Sequence, residues 1–178
     1  MPNKFSPKKY IIENGNKCPI YKCLVADDYD NLGLTSCLLI RKQPSGKFMF
    51  TTILIDRYCL GVKDAVCNCN HDQNELDEIM DGLSANGNLT EVDAVYFHNL
   101  VYAAVDFALE CGFNPAKEFS LAEKILDDTL IDDGIDAIPV GENGVPLFIN
   151  GPYDDVNRVI STLNRKVGEG NYKVQLLG

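Results

Sequence analysis

A chain of 178 residues with a formal net charge of −10 matches one ordinary domain, large enough to bury about 70% of the surface its unfolded form exposes. The acidic balance and the lack of any basic run disfavour nucleic acid as a partner, because binding phosphate backbones needs Lys and Arg to displace counterions. No apolar stretch approaches the roughly 18 residues a membrane helix requires, so no membrane partner is expected.

Seven cysteines, an odd number and without a secretory leader pattern, predict thiols in a reducing compartment and a cytoplasmic location. Residues 1–18 read as an N-terminal arm, partly disordered, ahead of a single α+β domain over 19–178. Pro19 to Ala26 reads as a strand, with proline tolerable at its first position, and Asp27-Asp28-Tyr29-Asp30-Asn31 as a turn. Leu34 to Lys42 and Lys47 to Asp56 are longer strand-like runs joined by Gln43-Pro44-Ser45-Gly46, whose Pro-x-Gly chemistry suits a hairpin. The three runs predict an antiparallel meander. Leu34, Leu38 and Ile40 lie on one parity and Cys37 and Leu39 on the other, so both faces of the sheet should be covered.

Gln73 to Leu83 is a short acidic helix candidate. Thr90-Glu91-Val92-Asp93 opens a stronger helix, with Val92, Val95, Leu100, Val101, Ala104, Val105 and Ala108 at helical spacing and Cys111-Gly112 as its stop. Ser120-Leu121-Ala122-Glu123 has the form of a capping box for a second helix ending near Leu130, and the two predict a helical pair. Ala137 to Val140 and Val145 to Ile149 flank Gly141-Glu142-Asn143-Gly144, a hairpin turn by composition. A helix from about Asp154 to Val167 and a strand over Tyr172 to Leu177 follow. The predicted class is α+β: an antiparallel β-meander, a helical pair, and a C-terminal β-hairpin, helix and strand that complete the sheet.

The chemistry-bearing stretch is Tyr58-Cys59-Leu60-Gly61-Val62-Lys63-Asp64, where an apolar strand gives way to a thiol and an ammonium. A thiolate is a strong nucleophile once a base or a positive environment favours it. Cys59 as nucleophile, His98 as proton acceptor and Lys63 as thiolate- or anion-stabilising cation form the candidate catalytic set, and Asn99 is poorly placed to orient the same imidazole. The bland alternative makes Cys59 a small buried hydrophobe, as free cysteines usually are, and His98 a satisfied helix residue.

Cys67, Cys69 and His71 alternate, so an extended backbone would give them one face and room for a zinc ion; Cys59, Cys111, His98 or an acid would have to supply the fourth ligand. No metal site is assigned on that basis, and the cluster is weighed against a polar loop. Asp27 or Asp28 with Asp56 could gather metals at strand ends, or be solvated acids. Asp127, Asp128, Asp132, Asp133 and Asp136 lack calcium-loop spacing and read as a solvated acidic loop. No phosphate-binding glycine loop, dinucleotide fingerprint or Gly-x-Ser-x-Gly motif occurs, and no cofactor is expected.

The Tyr58-to-Asp64 stretch, with His98-Asn99-Leu100-Val101-Tyr102-Ala103-Ala104 and Phe107-Ala108-Leu109-Glu110-Cys111-Gly112-Phe113-Asn114-Pro115, resembles a family of uncharacterised bacterial proteins. In that family a Tyr-Cys-Leu-Gly-Val-Lys segment precedes a His-Asn-opened helix. The likeness spans roughly residues 19 to 155 and takes in Asn143-Gly144-Val145-Pro146-Leu147 and Gly151-Pro152-Tyr153-Asp154. It implies a shared fold and names no activity. Where this chain has Asn114-Pro115-Ala116-Lys117, relatives are similar to Pro-His-Lys, and the missing histidine argues against a metal in that turn.

Two functions follow as expectations. One is a thiol-dependent hydrolase or acyl transferase using Cys59, His98 and Lys63. The other is a non-catalytic protein-interaction module in which the Tyr-Cys-Leu-Gly-Val-Lys turn is structural and exposed aromatics such as Tyr153 make the contact.

Overall fold

The computed structural model describes residues 4–27, 32–85 and 87–178. Strands β1 (Ile20–Asp27), β2 (Leu34–Lys42), β3 (Phe48–Asp56) and β4 (Gly61–His71) each pair antiparallel with the next. The two-residue β5 (Thr90–Glu91) adds to the free side of β1, giving the order β4-β3-β2-β1-β5. The class is α+β around an antiparallel meander. Gly46 makes the β2–β3 turn at φ 83° and donates its N–H to the Gln43 carbonyl at 2.9 Å. The fourth strand is a correction: the segment after Asp56, read as a polar site-bearing tail, turns back as β4.

Both sheet faces are covered. Cys37 and Leu39 of β2 meet Phe97, Leu100, Val101 and Ala104 of α3 (Ala94–Cys111). Leu38 and Ile40 turn the other way and, with Phe48 and Phe50, enclose Leu76 of α2 (Gln73–Ser84). A capping box between Asp72 and Glu75 starts α2. In α3 the Asp93 carboxylate accepts the Val95 and Tyr96 amides, and Gly112 ends the helix at φ 95°. Thr90 and Glu91, expected to open that helix, form β5 instead.

Three expectations change in detail. The 1–18 arm contains α1 (Pro7–Asn14), capped by Ser6 and anchored by the buried Ile11; a Cβ on Gly15 would lie 1.9 Å from the Lys124 carbonyl oxygen, so the helix end abuts that backbone. The second member of the helical pair is only the single turn α4 (Phe119–Ala122). Ser120 lies inside it and donates its hydroxyl to the Lys117 carbonyl, while the chain uncoils to bury Ile125 and Leu126 and to offer the Ile125 carbonyl to Arg41 Nε at 2.7 Å. At the C-terminal end, the 141–144 turn closes one bridge, Glu142 to Val145. β6 (Leu147–Ile149) pairs in parallel with β7 (Lys173–Gln175) across α5 (Val156–Lys166), as a separate two-stranded sheet. Parallel neighbours need such a crossover. All seven cysteines are thiols. Among the described residues no helix is long and apolar enough to cross a membrane.

Candidate functional site

The turn from β3 to β4 is tied down on every side. Asp56 is buried, and its Oδ1 accepts the amides of Tyr58 at 2.8 Å and Cys59 at 3.1 Å. The Arg57 and Tyr58 carbonyls accept the Gly141 and Leu147 amides. The Tyr58 ring lies over Gly33, where a Cβ would sit 2.5 Å from it. Gly61, at φ 69°, lets the chain pass against α3; a Cβ there would be 2.6 Å from the Ala108 Cβ and 3.1 Å from the Ala104 carbonyl oxygen. The Val62 carbonyl accepts the Ala116 amide.

Cys59 is 0% exposed, packed with Cys111, Phe148, Val159 and Leu163. Hydrogen bonding to Cys111, and after it burial, pushes the Cys59 thiol far above its ordinary range, which suppresses the thiolate a nucleophile needs. His98 is also 0% exposed. Its Nδ1 lies 2.7 Å from the Ala94 carbonyl oxygen and its Nε2 accepts the Asp127 amide at 3.0 Å. That pattern assigns the neutral ring protonated on Nδ1, with no free nitrogen left for a thiol. Burial lowers its pKa, in keeping with that state.

The two groups do not meet. Cys59 packs on Cys111 at the end of α3, thirteen residues from His98, which is about 20 Å along a helix. The structure therefore does not bring together the expected Cys59–His98 pair, and both side chains lie in the interior.

The zinc alternative fails for a backbone reason. Cys67 and Cys69 face the α3 side of the sheet, Cys67 at 3.4 Å from the Thr51 hydroxyl and Cys69 in the core. Asn70 then adopts φ 64°, and one extra residue enters β4 opposite Phe48–Phe50. Such a bulge inverts the alternation that follows. His71 thus packs on Phe50 on the opposite face, with Glu75 3.6 Å away. Among the described residues no group of three metal-type side chains converges. Of the proposed strand-end acids, Asp28 lies outside the described residues, Asp27 is described only through its backbone pairing with Thr35, and Asp56 is occupied as the turn's cap.

Lys63 is the candidate that reaches a surface feature. It extends from β4 to Asp154 at 2.9 Å, and the same carboxylate oxygen accepts the Gly151 amide at 2.7 Å. The pair forms one wall of a cleft of about 370 Å³ floored by Leu60, Val62, Phe113 and Val159, with Asn114 and Arg158 on its rim. Tyr153, at the lip, is 98% exposed. Neither a family model, a curated protein nor a solved structure matches this chain. The residues that sequence reasoning missed are partners: Cys111 for Cys59, Asp154 for Lys63, and Asp56 as the turn's cap. Cys111 and Asp154 lie 52 and 91 residues from Cys59 and Lys63, too far along the chain for any local pattern to pair them.

Proposed function

We propose that this chain is a non-catalytic protein-interaction module, working among reduced thiols in the cytoplasm, whose contact surface is the cleft beside Lys63. The observation that carries the reading is Tyr153, a large amphipathic ring left almost wholly in solvent at the lip of an apolar-floored hollow. Burying an aromatic ring is strongly favourable, and Tyr and Arg dominate the energetically important positions of interfaces. The apolar floor would take one hydrophobic anchor of the partner, Tyr153 would close over it, and the exposed Arg158 would pair a neighbouring carboxylate. The Tyr58–Gly61 turn contributes Leu60 to the floor.

The test places a photo-crosslinking amino acid at position 153 and irradiates the protein in native extract. A discrete adduct is expected, suppressed by excess unmodified protein and not by a competitor carrying Asn114→Trp, which fills the cleft. No discrete adduct, or equal competition by Asn114→Trp, would remove the proposal.

A further inference from the structure

The chain's charge is divided along its length. Residues 1–47 carry eight Lys and Arg against four Asp and Glu, whereas residues 48–178 carry eight against twenty-two. The basic part builds a second cleft, of about 410 Å³, where the α1 end meets the β2–β3 turn. It lies at the opposite end of the nine-residue β3 from the Lys63 cleft, about 30 Å away. Tyr10, Pro19 and Pro44 give it apolar walls, Lys17 and Lys42 stand exposed on it, and no acidic side chain lines it.

Behind that wall lies an independent source of positive charge. Arg41 is 3% exposed, donates Nη1 to the Cys18 carbonyl at 2.6 Å and Nε to the Ile125 carbonyl at 2.7 Å, and leaves Nη2 without a partner. Cys18 is itself a lining residue of the cleft. Among the described residues no carboxylate lies within ion-pair distance of Arg41, Lys17 or Lys42, and the Asp127 carboxylate acts on Arg41 from farther off. A buried guanidinium remains charged and acts through a medium that screens poorly, so the cleft is positive in an otherwise acidic molecule. The amides of Gly46 and Lys47 are spent on Gln43 and Ser45. The turn therefore presents no amide nest of the kind that holds a phosphate, and an apolar group flanked by carboxylates is the better match.

The chain carries such a group. Ile131, 38% exposed, begins four consecutive exposed residues, Ile131-Asp132-Asp133-Gly134, turned by the Gly134 amide on Asp132 Oδ1 at 2.8 Å, and with Asp132 and Asp133 it lines a hollow of about 280 Å³ beside Asn99 and Tyr102 of α3. Neither Asp132 nor Asp133 forms an ion pair with a described residue. We propose that the Lys17–Lys42 cleft docks the Ile131–Asp133 turn of a second copy of this chain, Ile131 entering between Tyr10, Pro19 and Pro44 and the two lysines pairing Asp132 and Asp133. Arg41 bridges Cys18 to Ile125, six residues before Ile131. Two copies related by a twofold axis exchange cleft and turn reciprocally and close as a dimer.

The experiment is sedimentation equilibrium of the full chain, with circular dichroism confirming that each variant is folded. The wild type is expected to dimerise, with the dissociation constant rising at least about tenfold between about 50 mM and about 500 mM salt, as screened charge pairs require. Lys17→Glu with Lys42→Glu, and separately Asp132→Lys with Asp133→Lys, should each be monomeric, and mixing the two proteins should restore a dimer. Ile131→Ser, which leaves the charge unaltered, should also weaken it. A wild type that is monomeric at low salt, a dimer indifferent to the charge reversals, or a mixture that stays monomeric overturns the proposal. The outcome is independent of the Tyr153 crosslink, which reads the other cleft.

Discussion

Gly61→Ala is expected to destabilise the protein by about 3–5 kcal/mol, because the new methyl would meet the Ala108 Cβ at 2.6 Å while the backbone sits at φ 69°. Neither cost is relieved by rotating a side chain: one neighbour is a helix methyl, and the other is the Ala104 carbonyl oxygen at 3.1 Å. Gly82 supplies the control. It lies in α2 with nothing within 4 Å of a built Cβ, so Gly82→Ala should stabilise by about 0.5–1 kcal/mol through helix propensity. Urea unfolding of the two variants beside the parent measures both. A Gly61→Ala midpoint close to the parent's would mean that the turn is not clamped on α3.

Asp56→Asn is expected to stabilise the protein by about 2–3 kcal/mol at pH 7.5 and to have little effect below about pH 4. Burial pushes the Asp56 carboxyl up to about 6, against the pull of the Tyr58 and Cys59 amides and of Lys63. Between its unfolded value near 3.8 and that figure the native state holds the proton more tightly than the unfolded chain. Stability from this group therefore falls as pH rises through the window. Asparagine keeps an oxygen for the two amides and removes the charge.

His98 acts in the opposite sense. Its pKa is lowered by burial, so the unfolded chain takes up protons first and stability falls as pH drops below about 6.5. The parent's profile between about pH 4 and pH 6.5 is the difference of two opposed slopes. Asp56→Asn should leave a stability that rises with pH across that range, and His98→Gln one that falls. Chemical denaturation at four or five pH values separates them; slopes of the same sign in both variants would contradict the burial assigned to these groups.

How far the sequence specifies this molecule depends on how local each signal is. The β2–β3 hairpin, the two-sided burial of β2, the α2 helix and the Gly112 stop of α3 all follow from neighbours a few residues apart, and all were legible, although the capping box that starts α2 was not picked out. β4 was not, because an edge strand with Lys63, Asp64, Asn68 and Asn70 among its residues hides its alternation behind polar side chains. The Asn70 bulge, which decides that His71 leaves the face of Cys67 and Cys69, has no reliable local sign. At Ser120 the capping signal was overridden by tertiary packing of Phe119, Ile125 and Leu126 and by Arg41's claim on the Ile125 carbonyl. The parallel pairing of β6 with β7 joins segments more than twenty residues apart and leaves no local trace. At the site, Lys63 and Tyr153 come together at one cleft while Cys59 is buried away from solvent. A thiol at the end of an apolar strand looks the same in sequence whether it opens to solvent or packs against Cys111.

Timed alkylation of the native protein, resolved cysteine by cysteine with mass spectrometry, tests most directly whether the Tyr58–Lys63 turn is structural rather than catalytic. Half-buried Cys67 should react first, and Cys59 and Cys111 should stay unmodified until denaturant unfolds the chain. Preferential modification of Cys59 in the folded protein near neutral pH would contradict the account.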